Sequence, residues 1–480
     1  MKNQSCMRLF KPVLAALTLA LLAACGGGDS VQIPEETRTQ DSRPFTPVSE
    51  ATFSALVSTT VETDRWTGVL KGAAYRIEVP KTGWNGKLVM WAHGYRGTGP
   101  NLTVDAPIMR RYLLEKGYAW AASSYTKNYY DVRAGVEDTN ALALNFSAIA
   151  AANNRVLTVP TKIFITGVSM GGHITAAAID SEARTTAINK VSYAGAVPMC
   201  GVLGDTELFN YFAGYQAVAQ QLAGVPITSF PVTNFEALTP TIRAALWSSY
   251  PTQTNAQGDK LKNVMMNLSG GARPFYAEGW SNSSNQNNIW SSLGGDGTIN
   301  GMLTQNVLDT TALVYKIDAS SPSNTVADNS FNANIFKIQP SVGANRQRGD
   351  GQRWIPATNG EFNVPVVTLH TLGDLFVPFK MEQIFNQRAK AKGSDKWLVQ
   401  RAIRDVGHCA FTAAEATAAF DAMVQWEAGG PKPAGDDVVT AATIAAPTYG
   451  CTHTNNTPST EDYTQPAVRA GFQANYPKCQ

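Results

Sequence analysis

The chain has 480 residues, of which 16% are charged and 44% are hydrophobic. This composition excludes a coiled coil, a highly charged disordered chain and a collagen-like repeat. The 39 lysines and arginines exceed the 37 acidic residues, but three of these cations lie in the first 24 residues, which contain no acid, so the rest of the chain has 36 cations against 37 acids. A nearly neutral chain without a basic run lacks the charge pattern of a nucleic-acid-binding protein.

Residues 1–24 have the pattern of a secretory signal peptide. A cationic segment, residues 2–11, precedes an apolar run over residues 13–24 that is too short to cross a bilayer comfortably. The run ends in Leu-Ala-Ala-Cys-Gly, which resembles the lipobox of bacterial lipoproteins. That resemblance implies a lipid on Cys25 and, because no aspartate follows the cysteine, an outer-membrane location. The alternative is a plain cleavage site with an incidental cysteine. The polar residues 25–50 predict a flexible tether.

Beyond residue 50, short apolar runs alternate with segments of helical spacing. Such runs are typical of strands that are buried on both faces of a parallel sheet. We predict strands over residues 68–80, 87–92, 118–125, 162–166, 191–197, 364–370 and 397–403, and helices over residues 108–116, 136–153, 171–179 and 413–427. This alternation indicates right-handed crossovers, so we predict an α/β fold with a doubly wound, mostly parallel sheet.

The alternation is interrupted over residues 201–363, which we interpret as a cap inserted into a body formed by residues 51–200 and 364–435. The insertion has a weak strand signal and a mainly helical pattern. We predict helices over residues 206–222, 235–247 and 260–268, and loops rich in Asn, Ser and Gly over residues 281–301 and 320–351. Residues 436–480 form a polar, Thr-rich tail, which we expect its two cysteines to staple to the body.

Ser169 is the centre of the pentapeptide Gly167-Val-Ser-Met-Gly171, which lies between a predicted strand and a predicted helix. In this context G-x-S-x-G forms a nucleophile elbow, a sharp turn that projects the serine above the sheet. Glycines are needed because the serine backbone is strained and a side chain at either flanking position collides with the neighbouring chain. The alternative is a Gly-Ser turn in a binding protein.

A serine hydroxyl needs a neighbouring base to become a nucleophile, and that base is normally an imidazole. The chain offers five histidines. We expect His93 to order the loop after its strand and His173 to point away from the serine. We expect His370 to lie within a buried strand and His453 to belong to the tail. His408 follows the last predicted strand of the sheet and is therefore the predicted catalytic base.

The acid that orients the base should follow the strand before the one that leads to His408. Asp374 occupies that turn, and a carboxylate there can hold the imidazole and stabilise the imidazolium. Two alternatives remain open. Asp405 is only three residues from the histidine, and Asp205 follows an earlier strand.

With these residues placed, residues 68–427 resemble the α/β-hydrolase superfamily. In that superfamily the nucleophile, acid and histidine occur in this chain order. The resemblance implies an oxyanion site formed by the backbone N–H groups of Met170 and of Tyr95, which follows the third strand. The same pair resembles that of bacterial polyester hydrolases, whose elbow reads Gly-x-Ser-Met-Gly. Those enzymes are smaller and lack a long insertion, so a polyester substrate does not carry over.

The cysteines predict two disulfides. Cys6 leaves with the signal peptide and Cys25 takes the lipid, so an even number of cysteines remains in an oxidising compartment. These four are Cys200, Cys409, Cys451 and Cys479.

A cysteine directly after the catalytic histidine resembles tannases and feruloyl esterases, in which it bonds a cysteine that precedes the serine. Val168 occupies that position here, so this bridge cannot form. The predicted sheet order instead brings Cys200 close to Cys409. Our hypothesis is that these two are bonded and that Cys451 is bonded to Cys479, with a bond between the tail and the histidine loop as the alternative.

These residues predict a carboxylic ester hydrolase that works through an acyl-enzyme on an extracellular or periplasmic ester, either small or polymeric. We expect no metal and no cofactor. A serine peptidase on the same scaffold and a non-catalytic surface-binding protein are the alternatives. Specificity resides in the insertion, where five large aromatic residues either line an acyl or aryl pocket or fill the core. They are Phe275, Tyr276, Trp280, Trp290 and Trp354.

Overall fold

The structure is a computed structural model that describes residues 37–48, 50–294 and 307–479. The predicted signal peptide, Cys25 and the first part of the predicted tether lie outside these residues. Among the helices in the described part of the chain, none has both the length and the apolar character that a bilayer span requires.

An eight-stranded sheet forms the centre of the molecule. Its strands are β1 (Thr63–Leu70), β2 (Ala73–Pro80), β3 (Lys87–Ala92), β4 (Ala119–Ser123), β5 (Lys162–Val168), β6 (Gly195–Met199), β7 (Val366–Thr371) and β8 (Leu398–Ile403). They lie in the order β8-β7-β6-β5-β3-β4-β2-β1. The β1–β2 and β2–β4 pairs are antiparallel, and the other five neighbouring pairs are parallel. The predicted doubly wound, mostly parallel α/β fold is confirmed.

Helices alternate with the strands as predicted. They are α1 (Arg110–Glu115), α2 (Val132–Ala152), α3 (Met170–Ile179), α4 (Ser181–Thr186), α5 (Glu207–Leu222), α6 (Phe235–Leu246), α7 (Ala256–Leu268), α8 (Tyr276–Ser281), α9 (Ser283–Ser291), α10 (Val326–Asn334), α11 (Lys380–Lys392), α12 (Ala413–Glu427), α13 (Ala441–Ile444) and α14 (Pro466–Gln473). Short 3-10 turns cover Thr39–Asp41 and Asp395–Trp397. Two small strand pairs join Thr46–Pro47 to Asn101–Leu102 and Trp247–Ser249 to Gln253–Thr254.

The single strand predicted over residues 68–80 is a hairpin of two strands. β1 and β2 pair around a two-residue turn at Lys71 and Gly72, whose φ angles are 49° and 93°. A turn with two positive φ angles matches the right-handed twist of the strands that it joins. The β-rich composition continues through the turn, so composition does not separate the two strands.

Helix α2 begins at Val132, four residues before its predicted start. The side chain of Asp131 caps it by accepting a hydrogen bond of 2.9 Å from the backbone N–H of Ala134. An aspartate at this position is a strong helix start signal that the apolar spacing alone does not contain.

The insertion, residues 201–363, holds helices α5 to α10. Two of these, α9 and α10, lie in segments predicted as loops. Polar side chains start both of them: Asn282 accepts from the N–H of Asn285, and Thr325 forms a reciprocal cap with Asp328. Their polar composition hides the helical period, which explains the difference.

Aromatic side chains fill the interior of the insertion. Trp280 stacks on Trp247 with 5.8 Å between ring centroids, and Trp290 stacks on Phe235 at 6.0 Å. Phe275 and Tyr276 are also buried. For these four candidates the structure favours core packing, whereas Trp354 is only half-buried and lies under the guanidinium of Arg38.

Residues 37–48 pack against the body. Arg38 is buried, forms an ion pair of 2.7 Å with Asp131 and lies 3.5 Å from the ring centroid of Trp354. The strand Thr46–Pro47 pairs with the body nearby. The tether predicted over residues 25–50 therefore does not extend to residue 37 and beyond, because specific contacts that a polar composition does not reveal hold these residues.

Buried ion pairs attach the tail to the body. Arg469 is 2% exposed and lies 2.7 Å from Glu415 on α12 and 3.3 Å from Asp405 in the loop after β8. Because each partner is buried, a loss of this arginine would leave two carboxylates without their cation.

The tail disulfide joins Cys451 to Cys479, which is the pairing that we hypothesised. The bond closes a loop within the tail, so the expectation that these cysteines staple the tail to the body is wrong. The Arg404 guanidinium of the body makes that attachment, since it donates a hydrogen bond of 2.8 Å to the carbonyl of Pro477.

Candidate active site

Ser169 alone forms the turn between β5, which ends at Val168, and α3, which begins at Met170. Its φ of 58° and ψ of −122° are uncommon for a residue with a side chain. The backbone N–H of Ser169 donates to the carbonyl of Met199 on β6 at 3.0 Å. This is the sharp strand-to-helix turn that the pentapeptide predicts.

Glycines allow this turn to approach β3. A Cβ on Gly167 would lie 2.5 Å from the carbonyl oxygen of Ala92, and a Cβ on Gly171 would lie 2.0 Å from the same atom. Both distances are far below van der Waals contact, and the obstructing atom belongs to the backbone of a central strand. Packing therefore requires glycine at these two positions.

The Ser169 hydroxyl, the His408 imidazole and the Asp374 carboxylate form one line of hydrogen bonds. The Ser169 Oγ lies 2.8 Å from Nε2 of His408, and Nδ1 of His408 lies 2.6 Å from Oδ2 of Asp374. With Nδ1–H donating to the carboxylate, Nε2 is free to accept the serine proton. Loops after β5, β7 and β8 bring the three side chains together.

Backbone donors hold the Asp374 carboxylate in place. Its Oδ1 accepts hydrogen bonds from the N–H groups of Phe376 at 2.9 Å and Val377 at 3.0 Å. The side chain is fully buried, which leaves Oδ2 directed at the histidine. A carboxylate fixed by several donors is an orienting group of low mobility.

The two alternative acids have other partners. Asp205 accepts from Arg388 at 2.6 Å and from the N–H of Thr358 at 3.1 Å. Asp405 accepts from the Thr464 hydroxyl at 2.8 Å and from the N–H groups of its own loop. Of the three candidate acids, Asp374 is the one that the structure brings to His408.

The loop after β3 lies directly over the serine. A Cβ on Gly94 would lie 3.2 Å from the Cβ of Ser169, so this loop contacts the elbow. Tyr95 is the next residue of the loop. Met170 is the first residue of α3, and the N–H groups of a first helical turn have no partner within the helix. The two predicted oxyanion donors therefore lie on segments that flank Ser169.

His93 holds this loop, as predicted. Its ring nitrogens contact the carbonyls of Gly94 at 2.7 Å and Ser124 at 3.2 Å, and its ring stacks on Tyr125. Complete burial lowers the pKa of His93. These contacts hold the loop after β3 against the end of β4.

The remaining histidines lie away from the serine. His173 contacts the Tyr130 hydroxyl at 2.9 Å and the Pro356 carbonyl at 2.8 Å, and burial lowers its pKa to about 4. Burial likewise lowers the pKa of His453, in the tail, to about 4. His370 lies inside β7, fully buried.

A disulfide adjoins the imidazole. Cys200, directly after β6, is bonded to Cys409, whose Sγ lies 3.4 Å from Nε2 of His408. These three side chains form the one cluster of potential metal ligands found among the described residues, but the bond between the sulfurs removes both thiolates as ligands. The described residues thus contain two disulfides, this one and the tail disulfide. Disulfides are typical of proteins that fold outside the reducing cytosol.

Known proteins share limited sequence or structural similarity with this chain. No family model matches the sequence. A 66-residue segment is 35% identical to o-phthalyl amidase of Xanthobacter agilis and covers 14% of this chain and 15% of that protein. The structure is similar to acylaminoacyl peptidase of Pyrococcus horikoshii, with a TM-score of 0.38 and 10% identity over 79% of this chain and 44% of that one. It is also similar to brefeldin A esterase, a bacterial homologue of human hormone-sensitive lipase, with a TM-score of 0.35 and 15% identity over 89% and 87% of the two chains. The chain spans less than half the length of the amidase and of the peptidase.

Strand order decides the fold. Counted along the chain, the strands lie in the order 1-2-4-3-5-6-7-8 with the second one antiparallel. A serine turn follows the fifth strand, an aspartate the seventh and a histidine the eighth. The chain has the α/β-hydrolase fold. Its sheet positions the serine, the acid and the histidine at the carboxyl ends of three parallel strands.

Phe376 is a further aromatic side chain beside His408, and the sequence pattern did not single it out. Phe376 lies edge-on to His408 with 5.3 Å between ring centroids and stacks on Phe212 of α5 at 5.7 Å. It is half-buried, whereas Phe212 is fully buried. Its position two residues after Asp374 could have indicated this role, because the N–H of Phe376 itself binds the Asp374 carboxylate.

Substitution of Gly171 by alanine tests the packing of the elbow. We expect the free energy of unfolding to fall by about 3 kcal/mol or more, because the new Cβ overlaps the backbone of β3. Gly99→Ala is the matched control, since a Cβ on Gly99 meets no atom within 4 Å. Urea denaturation of both variants measures the difference. Equal stabilities would show that the elbow does not need the close approach.

Proposed function

We propose that the protein is an exported serine hydrolase that cleaves carboxylic esters through an acyl-enzyme. The single observation that carries the proposal is the line of hydrogen bonds from Ser169 through His408 to the buried carboxylate of Asp374, with distances of 2.8 and 2.6 Å. A nucleophile, a base and an orienting acid in this geometry are the parts that acyl transfer needs.

In the proposed mechanism Ser169 Oγ attacks the carbonyl carbon of the ester while its proton passes to Nε2 of His408. Asp374 stabilises the resulting imidazolium. The N–H groups of Tyr95 and Met170 donate to the oxygen that becomes negative in the tetrahedral intermediate. The imidazolium then protonates the departing alkoxide, and water, activated by the same imidazole, releases the acid and restores the serine.

The position of Phe376 favours a substrate with an apolar group next to the bond that is cleaved. The ring adjoins His408 and is half-buried. A substrate group that covers it gains hydrophobic contact at a place fixed by the backbone bonds of Asp374. We therefore propose an apolar acyl or aryl group on this side of the site.

Amide hydrolysis is the second candidate. The segment with 35% identity matches an amidase, and one structural neighbour is a peptidase. Matched pairs of substrates, a p-nitrophenyl ester and the p-nitroanilide of the same acid, separate the two reactions. The proposal expects the ester to have the larger kcat/KM.

Ser169→Ala tests the proposed chemistry. We expect kcat for a p-nitrophenyl ester to fall at least about 10⁴-fold, because the nucleophile is lost, with no change in the unfolding transition. Ser192→Ala, at an exposed serine away from the elbow, is the control and should keep full activity. Retained hydrolysis in Ser169→Ala would refute the assignment.

The disulfide beside His408 gives a second test. The double variant Cys200→Ala/Cys409→Ala should lose about 10- to 100-fold in kcat/KM, because the loop that carries the base loses its bond to β6. Cys451→Ala/Cys479→Ala is the matched control. Removal of either bridge costs about 2–5 kcal/mol of unfolding free energy, but the tail variant should keep kcat/KM within about twofold. Equal kcat/KM values for the two double variants would contradict a role for the first bridge in placing the base.

We also propose that Cys25 carries a lipid that anchors the exported protein to the outer membrane, with the sequence around Cys25 as its support. Cells that are fed labelled palmitate should yield a labelled protein in the membrane fraction. Cys25→Ala should lose the label, whereas Cys6→Ala, within the signal segment, should keep it. An unlabelled wild-type protein would contradict the anchor.

A further inference from the structure

A second buried imidazole lies behind Asp374, and the proposed mechanism does not use it. His370, near the end of β7, is fully buried, and Glu382, in the first turn of α11, is 1% exposed. Nε2 of His370 lies 3.9 Å from Oδ2 of Asp374, the same oxygen that binds His408. The imidazole therefore lies between two buried carboxylates.

The hydrogen bonds of His370 fix which nitrogen faces which partner. Nε2 lies 2.8 Å from the carbonyl of Val377, so this nitrogen carries a proton and donates it. Nδ1 faces Oε1 of Glu382 at 3.5 Å. Within the described part of the chain, neither of these two atoms has a hydrogen-bond partner.

A proton between Nδ1 and Oε1 resolves this arrangement. Without it, two acceptors would face each other in the interior, and each would bear the cost of an unsatisfied buried polar atom. One proton satisfies both, either as imidazolium with carboxylate or as neutral imidazole with carboxylic acid.

The surroundings favour the imidazolium. Oε2 of Glu382 accepts hydrogen bonds from the Thr368 hydroxyl at 2.6 Å and from the Gln400 side chain at 2.5 Å, which leaves Oε1 to face the imidazole, and Oδ2 of Asp374 lies 3.9 Å from its other nitrogen. Burial alone lowers the pKa of His370, but the carboxylates of Glu382 and Asp374 outweigh it and raise that pKa above its ordinary value.

Tyr211, whose pKa burial raises and whose hydroxyl donates to the Leu375 carbonyl at 2.9 Å, and two further ionisable groups adjoin this cluster. Arg273, from the insertion, donates to the Leu372 carbonyl at 2.7 Å and acts electrostatically on Asp374. Tyr449, from the tail, donates to the Asp437 carbonyl, and burial raises its pKa so that it stays neutral. None of these groups donates a hydrogen bond to Glu382, so His370 is the cation available to that carboxylate.

We propose that His370 is a positioning residue: its imidazolium, neutralised by Glu382, donates to the carbonyl of Val377, whose N–H binds Oδ1 of Asp374, and so holds that carboxylate oriented toward His408. This inference rests on the proposed function, since it gives the triad acid its support. The paired charges of His370 and Glu382 cancel, so the full negative charge of Asp374 remains available to the imidazolium that forms on His408.

The protonation state can be observed directly. In ¹⁵N-histidine NMR titrations of the whole protein, we expect the signal that is absent from His370→Gln to remain that of an imidazolium up to a higher pH than an ordinary histidine. Burial lowers the pKa values of His93, His173 and His453, so these residues lose their protons at lower pH. A His370 signal that titrates at or below the ordinary histidine pKa would overturn the proposal. In Glu382→Gln the same signal should become neutral at a lower pH, and an unchanged titration would also overturn it.

The pH profile of kcat/KM for a p-nitrophenyl ester tests the functional consequence. In His370→Gln the Glu382 carboxylate remains unpaired, so the His408 imidazolium is stabilised and the acid limb should move to higher pH by about half a unit or more. The double variant His370→Gln/Glu382→Gln removes both charges and should return the limb to its wild-type position. A merely structural role for His370 would leave the limb unmoved in both variants.

The two levels of failure can be told apart. If the proposed function is wrong, Ser169→Ala retains turnover. If this inference is wrong, turnover still depends on Ser169, but His370 is neutral and the acid limb does not respond to its removal. Should His370→Gln fail to fold, the titration of His370 in the wild-type protein and in Glu382→Gln decides the question.

Discussion

The close approach of the serine turn to the backbone of β3 is the constraint on which the site depends. Gly167 and Gly171 leave no room for a side chain against Ala92, and the turn between β5 and α3 is compressed into one residue. Ser169 is held at a positive φ by this compression and by its hydrogen bond to Met199. The turn fixes the direction of the hydroxyl and starts α3 at the next residue, Met170, so the proposed nucleophile and the proposed oxyanion donor share one cause.

The sheet alone does not place the histidine. Cys409 ties its loop to the end of β6, and the Asp405 carboxylate ties the same loop to the tail through Thr464 and Arg469. Asp405 therefore supports the loop and is not the acid of the proposed triad. The tail, which the sequence shows as a polar appendage, closes the interior behind the site with buried ion pairs, so truncation of the chain there would act on the histidine as well as on stability.

Much of this arrangement could be predicted because it depends on local pattern and element order. The alternation of strands and helices predicts the sheet, and the capping residues Thr412 and Glu415 define the start of α12. Two kinds of feature could not be predicted. Some depend on contacts between residues that are remote in sequence, and others lie in segments whose composition does not reveal them. The hairpin turn at Lys71 lies inside a continuous β-rich segment. Arg38 forms its ion pair with Asp131, which lies 93 residues further along the chain. The buried pair behind the acid has no signature in the sequence, because it depends on packing of α11 against β7.

The most direct test of the central claim, that the relay from Asp374 through His408 makes Ser169 a nucleophile, is covalent labelling with a fluorophosphonate followed by tryptic mapping. The predicted result is one adduct per chain on the peptide of residues 163–184, located on Ser169 and not on Ser181 of the same peptide, and no adduct in His408→Ala. An unchanged mass for the wild-type protein, or an adduct on any other serine, would contradict the account.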